Sequence, residues 1–92
     1  MTVAEMIERE AKGEEIDSVC FSVGDREGAF IFLPWETARS RLTYDYDLRC
    51  PPFIAWTSNF VLFVGCYEGV RWIEKVPRNP MLYEPIAVGG GC

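Results

Sequence analysis

The segment Leu42-Thr43-Tyr44-Asp45-Tyr46-Asp47-Leu48 has the residue types and spacing that come nearest to a chemical device. In an extended chain Leu42, Tyr44, Tyr46 and Leu48 fall on one side, and Asp45 and Asp47 on the other. The two carboxylates then stand ~7 Å apart, one two-residue step along a strand. Such a pair can hold a hard cation, share acid–base work, or imitate backbone phosphates in front of a basic groove. A calcium-like cation wants roughly six to eight oxygens, and no Asp-x-Asp-x-Asp-Gly loop supplies them. Acid–base catalysis lacks a neighbouring nucleophile or oxyanion donor. Phosphate mimicry toward a partner therefore stands against one plain structural role, an edge strand whose acids deter aggregation.

Other catalytic chemistry finds few parts. The chain has no histidine, which removes the commonest general base, metal ligand and near-neutral pH switch together. Cys20, Cys50, Cys66 and Cys92 contain no Cys-x-x-Cys knuckle, so a structural zinc site lacks its usual spacing. Cys20 and Cys66 sit in apolar runs and are read as buried thiols, with a single disulfide as the alternative. Cys50 has only Arg49 beside it to lower its pKa. Gly89-Gly90-Gly91 lacks the strand-turn-helix context of a phosphate-cradling loop. No enzyme, no cofactor and no metal is expected.

Charge is concentrated instead. Fourteen acids against nine bases give a net charge of −5, which disfavours direct nucleic-acid binding and attraction to anionic lipid. Residues 1–17 alone carry six acids and two bases. Glu8, Glu10, Glu14, Glu15 and Asp17 form this acidic pole, the place where a basic partner would be attracted. The plain reading of the same acids is a solvated face that keeps a small protein soluble. Tyr44, Asp45, Tyr46 and Asp47 would extend the contact. Tyr67 and Arg71, flanking Glu68-Gly69, are the aromatic and cationic anchors that interfaces favour.

The elements that must position these groups are legible. Thr2 and Glu5 form a Thr-x-x-Glu capping box, which predicts a helix over about residues 2–12 that stops at Gly13. Val3, Met6, Ile7 and Ala11 make its apolar stripe. From Ile16 the period becomes two, with Val19, Phe21 and Val23 opposed to Ser18, Cys20 and Ser22. The wholly apolar Ala29-Phe30-Ile31-Phe32-Leu33 reads as a central strand, paired in a hairpin with the one before it. Pro34 suits the start of a short helix from about Trp35 to Leu42 that buries Trp35, Ala38 and Leu42. Three more strands follow as a meander: Phe53–Thr57, Phe60–Tyr67 and Val70–Val76. Three tryptophans and four tyrosines are heavy loading for this length, and most are expected in the core.

Ninety-two residues bound the chain to one domain, 1–92, with 81–92 as an extended or flexible tail. The expected fold is α+β, an N-terminal helix on a four- to five-stranded antiparallel sheet with a short helix between the second and third strands. The first dozen residues lack the basic start and apolar run of a secretory signal, and the cytoplasm is the expected compartment. A one-domain acidic protein of this kind resembles, at the level of class, the small inhibitors phages deploy against host defences, including anti-CRISPR proteins. It equally resembles bacterial immunity proteins that neutralise toxins. The resemblance implies an inhibitor that occupies a basic site, normally a nucleic-acid-binding one, on a larger partner such as a nuclease or CRISPR effector. The competing expectation is a small-ligand-binding or sequestering protein with an aromatic–arginine pocket. A second copy of the chain is a further candidate partner, and no membrane is implicated.

Overall fold

A computed structural model describes residues 1–23, 28–43 and 52–87. Helix α1 (Val3–Ala11) is followed by strands β1 (Ile16–Ser22) and β2 (Phe30–Pro34), helix α2 (Trp35–Arg41), and strands β3 (Phe53–Thr57), β4 (Phe60–Tyr67) and β5 (Val70–Pro77). The strands form one antiparallel sheet in the order β2-β1-β3-β4-β5. This is the expected α+β architecture, with the short helix between the second and third strands.

Local chemistry explains the helices. Thr2 Oγ1 accepts from the Glu5 amide at 3.1 Å, and the Glu5 carboxylate accepts from the Thr2 amide at 2.8 Å. Two of the amides that a helix start leaves unpaired are thereby satisfied. A third, on Ala4, donates to the Leu42 carbonyl at 3.1 Å and ties the start of α1 to the end of α2. Lys12 and Gly13 both adopt positive φ (51° and 87°) and turn the chain out of α1 toward β1. Trp35, Ala38 and Leu42 are buried as the spacing predicts.

Both helices lie on one face of the sheet. Strand parity sends Val19, Phe21, Phe53, Ala55 and Leu62 to that side, where they pack with Val3, Ile7, Ala11, Trp35 and Leu42 into the core. The intervening residues point the other way, and no described element covers them.

The apolar run Phe30–Leu33 behaves differently from its reading as a central strand. β2 is an edge strand. Ile31 and Leu33 face the helices, while Phe30 and Phe32 face outward at 67% and 62% exposure. A continuous apolar run normally marks burial on both faces; here one of those faces has no cover among the described residues. The tryptophans depart from expectation for the same reason. Trp35 alone is buried, and Trp56 and Trp72 are half-buried on the uncovered side.

Candidate functional site

The exit of α1, the start of β1 and the start of α2 meet around an open cleft of about 630 Å³. Glu8, Glu14, Glu15, Asp17 and Glu36 line it around Trp35, and no basic residue does. Local structure brings these acids together. The left-handed turn at Lys12 and Gly13 sends Glu14 and Glu15 back across the end of α1. Pro34 then sets Trp35 and Glu36 at the first turn of α2, where a carboxylate complements the helix dipole.

The five carboxylates are not equivalent. Glu14 is a clip. Its Oε1 accepts from Thr57 Oγ1 at 2.5 Å and the Asn59 amide at 3.2 Å, and its Oε2 accepts from Asn59 Nδ2 at 3.0 Å. The Thr57 hydroxyl, followed by the Asn59 side chain, holds the Glu14 carboxyl below its ordinary pKa. Thr57 Oγ1 in turn accepts from the Phe60 amide at 2.9 Å, so one buried hydroxyl links the α1–β1 connection to the β3–β4 turn. Asp17 pairs with Arg78, whose Nη1 also donates to the Thr57 carbonyl at 2.8 Å. Glu8 stands 3.7 Å from Arg39 across the two helices. Glu15 and Glu36 are exposed, and their side chains have no ion pair or hydrogen bond among the described residues. These two carboxylates are the ones free to meet a basic group.

The remaining site residues named from the sequence are scattered. Glu10 is half-buried on α1 and does not line the cleft. Tyr67 and Arg71 flank the Glu68-Gly69 turn as expected, yet the register pairs Tyr67 with Val70 and Arg71 with Cys66. The two side chains therefore leave opposite faces of the hairpin. A hollow of about 560 Å³ beside Tyr67, Val70 and Trp72 has no arginine in its lining. Tyr44, Asp45, Tyr46 and Asp47 lie outside the described residues. The reading of Cys20 and Cys66 as buried thiols is corrected. Cys20 is a half-buried free thiol on the uncovered side, whereas Cys66 is disulfide-bonded. Among the described residues no cluster of acids and cysteines is placed to hold a metal ion, and no helix is long and apolar enough to cross a membrane.

Two features went unread in the sequence. Trp35 and Glu36 join the acidic pole from a distant part of the chain, which only the tertiary contact between α2 and β1 reveals. The uncovered face carries Phe30, Phe32, Ile54, Trp56, Phe63 and Trp72. Its signal was present, because Phe30–Leu33 and Phe60–Val64 are apolar at both strand parities. Two helices of nine and seven residues cover one face only.

The chain matches no family model, no curated protein and no solved structure.

Proposed function

We propose that this is a non-catalytic binding protein whose acidic cleft engages a basic site on a larger protein, in the manner of a small inhibitor. One observation carries this reading: five carboxylates from three separate elements line one open cleft, and no base lines it. Clustered acids of one sign raise the encounter rate with a basic surface. Glu15 and Glu36 supply the exposed charge. Trp35, buried in the core, closes the wall of the cleft beside them.

Affinity capture from a lysate of cells that produce the protein tests this reading. The wild type should retain a stoichiometric basic protein at low salt and release it toward 1 M salt, where the Debye length falls to about 3 Å. Glu15→Lys combined with Glu36→Lys should abolish retention while leaving the circular dichroism nearly unchanged, since neither side chain has an ion pair or hydrogen bond among the described residues and the lost dipole contact of Glu36 costs only about 0.3–1 kcal/mol. Equal capture by the double variant, or capture insensitive to salt, would overturn the reading.

A further inference from the structure

We propose that the uncovered face of the sheet is a self-association surface, on which a second copy of this chain stacks face to face to form a symmetric dimer. The register identifies the face. Cys20 pairs with both Phe32 and Ile54, Ile54 with Phe63, Trp56 with Val61, and Val61 with Val76, so all of these side chains leave the sheet on the same side. Phe32 meets Trp56 edge-on, with ring centroids 5.7 Å apart across β1. The result is a largely apolar surface that spans the five strands, interrupted by Ser18 and Ser22 on β1 and by Glu74 on β5.

Area favours a partner as broad as the sheet itself. Five strands at ~4.8 Å spacing and ~3.3 Å per residue make a footprint on the order of 500 Å². Two such faces reach the ~1,000 Å² total that separates a specific interface from a casual contact. Side-chain relief adds to it. A second sheet of the same size and twist is the natural complement, since stacked sheets pack at about 10 Å with interdigitated side chains.

Charge favours a second copy in particular. Among the described strand residues on this side, Glu74 is the one ionisable acid, and its carboxylate accepts from Trp72 Nε1 at 2.5 Å. It belongs to edge strand β5, at the rim of a stacked interface. The acidic cleft opens on the helix-bearing side of the sheet. Two copies of a protein carrying a net −5 charge therefore meet here without placing their acidic poles against each other. In a two-fold arrangement the central strand β3 brings Ile54 and Trp56 close to the axis. A shallow apolar hollow of about 290 Å³ between Cys20, Phe30 and Ile54 is open to a side chain of the other copy.

Sedimentation equilibrium from ~1 to ~100 μM tests the proposal. The wild type should rise from near the 10.5 kDa chain mass at the dilute end toward twice that mass at the concentrated end, and Phe32→Glu and Ile54→Lys should each weaken the dimer by about 100-fold, because each charge enters the interface twice. Both positions are exposed, so circular dichroism should not change. A second measurement uses the unaltered protein: alkylation of Cys20 by iodoacetamide, located by mass spectrometry, should slow as protein concentration rises. A wild type that stays monomeric across the range would overturn the proposal. So would a dimer that survives both substitutions, since its interface would then lie elsewhere, or a Cys20 alkylation rate independent of concentration.

Discussion

Val19, Ala55 and Leu62 on the helix-bearing face of the sheet are fully buried, while Cys20, Ile54 and Phe63, their neighbours along the same strands, keep part of their water. The two sets differ little in polarity. They differ in cover. Helices of nine and seven residues, rising ~1.5 Å per residue, reach across one side of a five-stranded sheet, and the described chain brings nothing of that size to the other. Hydrophobic content therefore measures two quantities at once here, the core beneath the helices and an outer face that the described residues leave partly exposed. An exposed apolar surface of roughly 500 Å² is as large as the largest patch a typical monomer carries, and such patches are commonly functional.

The largest effect that separates the faces is truncation. Leu62→Ala should destabilise the fold by about 2–5 kcal/mol, since it removes a fully buried side chain from beneath the helices. Phe32→Ala removes a larger side chain, yet in dilute monomer it should cost under about 1 kcal/mol because the ring is already in water. Urea denaturation at low micromolar concentration measures both. Costs of equal size would break the comparison, by showing the outer face to be packed like the core.

The same contrast explains what was legible in the sequence. The capping box, the apolar spacing of α1 and the burial of Trp35, Ala38 and Leu42 all follow from one local face meeting one core. The meander β3-β4-β5 follows from alternation and from Glu68-Gly69, whose positive φ values of 49° and 81° suit a tight hairpin. The position of β2 did not follow. Phe30–Leu33 has the composition of a central strand, and composition does not say which strands have neighbours. The acidic cleft was half legible: Glu8, Glu14, Glu15 and Asp17 are close in sequence, while Glu36 arrives only through the packing of α2. Glu14 lines the cleft with the other acids of the pole, and the hydrogen bonds that its carboxylate accepts from Thr57 and Asn59 carry no local sequence signal.

The next effect in size concerns the polar clip that closes one end of the helix-bearing face. Thr57→Val keeps the shape but removes the hydroxyl that Glu14 and the Phe60 amide both use. Leaving the Phe60 amide without its acceptor should cost about 1–3 kcal/mol, while Glu14 keeps its bonds from Asn59. The loss should depend on pH with a definite sign. Glu14 has a lowered pKa in the folded protein, so its contribution is fully present above the ordinary glutamate value of about 4.3 and fades as pH falls through the lowered folded value. Glu5, lowered by the Thr2 amide and hydroxyl, acts in the same direction. Wild-type stability should therefore be level from neutral pH down to about 5 and decline below that, and the decline should be shallower in Thr57→Val. A decline of equal steepness in the two proteins would show that Thr57 does not set the Glu14 charge.

The smallest effect returns to the outer face. Gly65 lies on β4 opposite Trp72, and an added Cβ would sit 2.6 Å from Cε2 and Nε1 of the indole and 2.8 Å from Cζ2. No ordinary contact is that close, so the ring must lift. It belongs to a half-buried side chain on an uncovered surface, and it has room to swing outward. Gly65→Ala should therefore cost about 1 kcal/mol, largely through lost ring packing and a loosened bond from Trp72 to Glu74, with tryptophan emission shifted to the red. Ala55→Val enlarges a fully buried position on the helix-bearing face, where the neighbours cannot withdraw, and should cost more, about 1–3 kcal/mol, with little spectral change. The ratio of the two costs measures how far the faces differ. If Gly65→Ala proves the more damaging of the pair, Trp72 is locked in place, and the outer face is a second core whose cover is held more tightly than a separable copy would hold it.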